Sequence, residues 1–506
     1  MIAITCPLES FPAPLGRERC TALLNQGADY LRQGRLQDAQ HTLEVAGRGC
    51  TDMPEVYATL AVSYDLQNQH LKAQEAYRKA IALNPNLPQL RDNLGVSYAA
   101  SGNYTASVAE FEKALQIDPH DRAANINLAR FYLKQREYHR AISYFQAAGV
   151  QQSSDVGSLM GLTNAYFETH NLPAARETAV RASTVAGSDA QVHFSLGLLL
   201  AENGQFKMAA DEFAAVPKSA RDFATYMNLG MVYSKLRQFK DAKNAYESAL
   251  QLDPSSPEPY LHIGMDAAAL GHNAQAVSWI SQAYAEAPRR IDISYAFAEA
   301  LIHTGNYDRA SNVLSQALRL FPGSPELVGV QGDLYLQQGQ DEQAKQAYLR
   351  CLALNPRLPA VRLSLAKAYV VLHQPEEARQ QLEKVLEIQP DNAEANAQLS
   401  QMAFEAGRQE EAQRMAEKAL ATDPDNRIAN ATLAEIDIRE GRYSEAYPIL
   451  QKLVKLDPKA PRFHYLLGRV LVKLGRAAEA EREFQLSRSS QNAPPAARPM
   501  VSNETR

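Results

Sequence analysis

Glu299 and His303 lie four residues apart, a spacing that puts a carboxylate and an imidazole on one face of a helix. Such a pair can begin a metal set, but no third or fourth ligand stands near it, and spacing alone specifies little. It reads more simply as two solvated or groove side chains. The eleven histidines are scattered. The chain contains no glycine-rich phosphate loop, no GxGxxG, no GxSxG and no HExxH. Catalytic, cofactor-binding and metal-binding residues are therefore all expected to be none, and the chain reads as a non-enzyme.

The four cysteines carry more information. No CxxC occurs, which argues against zinc and thioredoxin-like chemistry. Cys351 falls at a small-residue core position and reads as a packed thiol. Cys20 opens one helix and Cys50 follows the end of its hairpin partner, points that are close in an antiparallel pair. Two readings stay open. In an oxidising compartment Cys20 and Cys50 form a disulfide stapling the first hairpin. In the cytosol they are two unlinked thiols, the reading that the rarity of cytosolic disulfides favours. Asn103-Tyr-Thr, Asn430-Ala-Thr and Asn503-Glu-Thr match the glycosylation acceptor, but the pattern is short and the first two fall inside helical stretches.

The 506 residues are 45% hydrophobic and 22% charged, ordinary for a folded protein. A net charge of −5 and a pI near 6.2 argue against a nucleic-acid surface. No apolar run reaches the roughly 18–20 residues that span a bilayer, so no integral membrane segment is expected. The opening MIAITCPLESFPAPLGRERC has no basic n-region and no apolar h-region. That points to the cytoplasm, with an exported protein whose signal is missing as the alternative.

A repeat positions everything else. Phe223–Ser256 reads as two short helices and a turn, ended by Asp253-Pro254, since proline cannot continue a helix. Steps of 34 residues find the pattern again at Cys20, Pro54, Pro88, Arg122, Val156, Ala190, Phe223, Pro257, Ile291, Pro325, Pro359, Ala393, Arg427 and Pro461, with one step of 33. A fixed period of this length signals a solenoid. The eighth position is small (Gly95, Gly197, Gly332) and the twentieth is alanine in every unit but one, where Ser107 stands. Position eleven is often tyrosine, and position twenty-four is large (Tyr77, Phe111, Phe213), filling the space the small residues leave. Proline closes nine units. Units four to six keep the pattern least well.

These residues resemble the tetratricopeptide repeat, over nearly the whole chain. The resemblance implies an all-α fold: a right-handed superhelical solenoid of about fourteen stacked antiparallel helix pairs. The expected organisation is an irregular segment over 1–19, the solenoid over 20–490 and a disordered tail over 491–506. Stacking shares one continuous core between hairpins that cannot bury their apolar faces alone.

By analogy with the family, positions two, five, six, nine, twelve and thirteen of each unit face a concave groove. There the middle of the array is apolar, with Ile126, Met160, Phe167, Phe194, Leu198, Met227, Met231, Leu261 and Met265. Methionine suits surfaces that accept varied apolar partners. Asn25, Asn93, Asn127 and Asn228 share position six and resemble the asparagine ladder that holds peptide backbones in some members, though Thr59, Gly161, Ser195 and His262 interrupt it. Asn164 is the lone asparagine at position nine, and position five carries no lysine, so the carboxylate clamp of chaperone-binding members is not expected. Asp292, Glu299, Glu326 and Asp333 make units nine and ten acidic, while Arg462, Arg469 and Lys473 make the last unit basic.

The expected function is a non-catalytic scaffold that binds an extended peptide or a helix of partner proteins in this groove. One alternative is an assembly factor for secretion or polysaccharide export at the cell envelope. Another is the substrate-recognition subunit of a transferase carried on another chain. No cofactor and no nucleic-acid partner are expected.

Overall fold

The structure, a computed structural model, describes residues 15–491. The expected irregular start, up to residue 14, and the expected tail from residue 492 lie outside the described residues. Helix begins at Arg17, three residues ahead of Cys20. Twenty-eight α-helices follow one another in tandem, from Arg17–Arg32 to Ala477–Gln491, and no strand occurs among the described residues. They make fourteen repeats, each with a first and a second helix. The chain divides into two compact units, Met1–Gln238 and Phe239–Arg506.

Sequence dictates the hairpin in three ways. The first is small against large. A Cβ added at Gly27 would stand 2.5 Å from Leu43 Cγ, at Gly95 2.6 Å from Phe111 and at Gly468 2.6 Å from Phe484. Each contact joins position eight of a first helix to position twenty-four of its partner. Alanine at position twenty is fully buried from Ala39 through Ala446, so the helices close to backbone distance.

The second is the turn between the helices. Position fifteen is left-handed in all fourteen repeats. Nine carry glycine there, as at Gly305 (φ 73°), while Asn68, Arg136, His170, Arg237 and His373 adopt the same conformation with a side chain. The residue after it bonds back into the first helix, as Gln374 N–H does to Tyr369 O at 2.9 Å.

The third is a polar clamp at position four. In seven repeats its side chain reaches back six residues to the carbonyl that ends the preceding repeat. Asn125 donates to Pro119 O at 3.1 Å, Asn430 to Pro424 O at 3.1 Å and Arg362 to Pro356 O at 2.8 Å. The carbonyls that end these repeats thereby find a protein donor at the connection.

In the first unit the second helices of repeats four and six, Tyr138–Ala147 and Phe206–Ala215, have ten residues where fourteen is usual. Short 3₁₀ turns, Val150–Gln152 and Lys218–Ala220, follow them. At the N-terminus Cys20 and Cys50 are joined as a disulfide with Cα atoms 5.8 Å apart. Both are buried beneath Leu15, whose N–H donates to Gly49 O at 2.9 Å. In the second unit Cys351 is a buried free thiol donating to Pro325 O, and burial pushes it up to about 11. Among the described residues no helix is long and apolar enough to cross a membrane.

Candidate protein-binding face

The first helices present one repeated face, and its openness depends on the position within it. No residue at position nine is buried in any repeat, whereas position five is buried in eight. The reason is visible where neighbours meet. Asp92, at position five, accepts from Asn127 Nδ2 of the next first helix at 3.0 Å. Gly329, also at position five, lies against Val361 of the next repeat. Position five belongs to the seam between repeats; position nine looks outward.

In the first unit this sorts the expected groove residues. Ile126 and Met227, at position five, and Phe167, at position twelve, are buried and serve as packing. Met160, Phe194 and Leu198 are half-buried, and Met231 is 43% exposed. In the second unit Leu261 is buried at position five, while Met265, at position nine, is 50% exposed. The apolar face is therefore narrower than the sequence suggests.

Two of the asparagines are occupied. Asn127 is engaged by Asp92, and Asn228 donates to Ala224 O of its own helix at 2.9 Å. Asn164 is half-buried and Asn25 exposed. Burial pushes the Asp92 carboxyl up to about 6, against the Asn127 hydrogen bond, and Asp121 raises it further. Beside Asn127 an open depression is lined by Arg122, Ala123, Ile126, Asn127, Arg130 and Asp155. Arg130 faces Asp155 at 3.5 Å and donates to Ser158 Oγ at 3.3 Å, so the depression offers both a cation and an anion.

The acidic residues of repeats nine and ten are tied up locally. Arg290 pairs with Asp292 at 2.6 Å, Glu299 accepts from Tyr295, Glu326 accepts from Ser324 at 2.7 Å and Asp333 accepts from Tyr348 at 2.7 Å. Loss of hydration at this half-buried carboxyl pushes Asp333 up to about 6 against the Tyr348 and Ser364 hydrogen bonds. In the last repeat Arg462 is held by Glu435, Arg469 lies over the Tyr465 ring, and Lys473 is exposed.

Six exposed apolar residues at these positions went unmarked in the sequence: Val96 at position nine, Tyr465 at position five, Val370 and Val472 at position twelve, and Leu66 and Val371 at position thirteen. The register applied to every repeat would have found them. Tyr465 is open at position five because no further helix pair follows it among the described residues.

A tandem array of helical hairpins with one repeated outward face defines a class of interaction protein. Tetratricopeptide repeat models match residues 98–152, 267–334, 305–356, 335–402, 403–453 and 437–500, and further models of the same repeat match 54–87, 161–222 and 223–256. The chain belongs to the tetratricopeptide repeat family. Among solved structures it is similar to yeast Tom70, at 17% identity and a TM-score of 0.42, covering 84% of this chain and 96% of that one. It is also similar to the APC/C Cut9–Hcn1 hetero-tetramer, at 14% identity and a TM-score of 0.43, covering 90% and 96%. A shorter relative, a thermophilic tetratricopeptide repeat protein of Thermus thermophilus, is 23% identical with a TM-score of 0.33, covering 36% of this chain and 99% of that one. No curated protein matches the chain by sequence.

Proposed function

We propose that the chain is a protein-interaction scaffold whose first-helix face takes an extended segment or a helix of a partner protein. The observation that carries this reading is an exposed methionine at position nine in each unit. Met231 in the first unit and Met265 in the second stand 43% and 50% exposed on helices whose other faces are packed. Long flexible side chains left in water at a repeated register suit apolar anchors of a partner. Half-buried Met160, Phe194 and Leu198 extend the surface in the first unit, and Asn164 and the Arg130–Asp155 pair supply polar anchors.

The reading is tested by Met231→Glu and Met265→Glu, made singly and together, as baits beside the wild-type chain in lysate of the source cell. Loss of the same partner from a variant that keeps its helical circular dichroism supports the face. Equal recovery by every bait removes it.

The Cys20–Cys50 disulfide favours a second reading of the setting, an assembly factor working outside the reducing cytosol, because such bonds persist in oxidising compartments. Alkylating the chain as isolated from its source, with and without reductant, followed by intact-mass measurement decides it. Labelling of Cys20 and Cys50 without reductant counts against that setting.

A further inference from the structure

Six of the connections between repeats are held twice: a proline stiffens the loop, and the position-four side chain of the next repeat bonds to that proline's carbonyl. Between repeats five and six the proline is replaced by Gly187, whose φ is 64°. The preceding helix, Leu172–Ala186, ends there. Glycine allows this turn many conformations. One backbone bond, from Asp189 N–H to Ala186 O at 3.1 Å, spans it, and one side chain grips its carbonyl.

That side chain is His193, 3% exposed, in the first turn of Ala190–Glu202. Its Nε2 lies 3.0 Å from Gly187 O and its Nδ1 2.7 Å from Glu212 Oε2 on Phe206–Ala215. A carbonyl and a carboxylate both accept, and a neutral imidazole has one N–H to give. Both contacts are made only when the His193–Glu212 pair holds one proton beyond a neutral ring and an ionised carboxylate.

The surroundings favour that proton. Charge reaches the ring from Glu212 on the second helix and from Asp189 in the connection, both acidic. The last turn of Leu172–Ala186 has no charged residue, and Arg181, one turn earlier, donates to Gln152 O. The neighbouring first helices, Val156–Glu168 and Phe223–Lys235, carry charge only at Glu168 and Lys235, at the opposite end from His193. Burial opposes the imidazolium, but the Gly187 carbonyl, Glu212 and Asp189 outweigh it and hold the ring above its ordinary value.

We propose that His193 and Glu212 form a proton-operated latch on the Gly187 turn. With the extra proton bound, the connection between repeats five and six is fixed. When the proton leaves to solvent, the Gly187 carbonyl is released and the two repeats hinge about that glycine. His464 makes the same two contacts, 2.6 Å to Glu483 and 3.0 Å to Pro458 O, but across a proline that keeps its loop stiff without them. A raised histidine value means that the latch is fully present below the ordinary value of about 6.5 and is lost as pH rises through the raised one.

The test is hydrogen exchange of the full chain over a pH series, corrected for intrinsic exchange and read on residues 183–193, with residues 454–464 as the proline-containing reference. Protection of 183–193 falls by up to tenfold per pH unit above the His193 value, the slope for one linked proton, while the reference stays level. His193→Asn keeps a donor for Gly187 O, as Asn125, Asn396 and Asn430 do for prolines, and its protection is independent of pH. A level wild-type profile, or the same slope in His193→Asn, overturns the latch. Should that variant fail to fold, carbon-13 histidine spectra of the wild-type chain decide. A histidine titrating above its ordinary value in step with the lost protection supports the latch, and none doing so overturns it.

Discussion

Phe111 occupies the space that a side chain on Gly95 would need: a Cβ there would stand 2.6 Å from the Phe111 ring. This contact repeats at Gly27, Gly197, Gly264, Gly332 and Gly468, and it sets how closely the two helices of a repeat approach. Gly95→Ala is expected to destabilise its repeat. Overpacking costs about 1–3 kcal/mol, and alanine's better helix propensity returns up to about 1 kcal/mol, for a net loss of about 1 kcal/mol. Adding Phe111→Leu should recover part of it. Urea melts of the two single variants and the double variant check the coupling.

The left-handed turn yields a prediction of opposite sign at two equivalent positions. His373 has φ 56° and Gly305 has φ 73°. A side chain in this conformation costs about 1 kcal/mol, so His373→Gly should stabilise by up to about that amount and Gly305→Ala should destabilise similarly. Equal effects of the same sign in thermal melts would contradict the assignment of strain to position fifteen.

Asp333 makes stability depend on pH. Its carboxyl is pushed up to about 6 by loss of hydration, so the folded chain binds a proton there that the unfolded chain releases near 3.8. The favourable contribution is present below pH 3.8 and is lost as pH rises through about 6. Asp333→Asn can still accept from Tyr348 and should stabilise at pH 7 by about 1–2 kcal/mol, with the shift discounted for partial solvent access. Stability measured at pH 4 and pH 7 should differ less in the variant than in the wild type.

The Cys20–Cys50 bond closes a span of 30 residues. On chain entropy such a loop contributes about 3–4 kcal/mol. Cys20→Ser with Cys50→Ser should raise hydrogen exchange in Arg17–Arg32 and Leu36–Gly49 while leaving the second unit unchanged. Uniform loss of protection along the chain would mean that the first repeat is not an independently stapled element.

The hairpin was legible in the sequence because its determinants lie within one repeat. Position eight meets position twenty-four, and position twenty meets the facing backbone, whatever repeat follows. The left-handed turn was legible only in part, since Arg136, His170, Arg237 and His373 carry no sign of it. The face was harder to read. Met227 and Met231 share a register rule and a residue type, yet one is 8% and the other 43% exposed. That difference follows a finer register, in which position five meets the next repeat and position nine does not, a distinction the six-position face rule does not draw. The His193–Glu212 pair joins residues 19 apart, and its meaning depends on the glycine at position 187, so no single motif announces it.

The central claim is that partners are held on the outward row of the first helices. Photo-crosslinking tests it most directly, with a benzophenone side chain placed at Met231, at Met265 or at Leu71, which is 76% exposed on the second helix of repeat two. Each variant would be exposed to lysate of the source cell and its adducts identified by mass spectrometry. A partner adduct is expected at Met231 or Met265 and none at Leu71. The same adduct at Leu71, with none at either methionine, would contradict it.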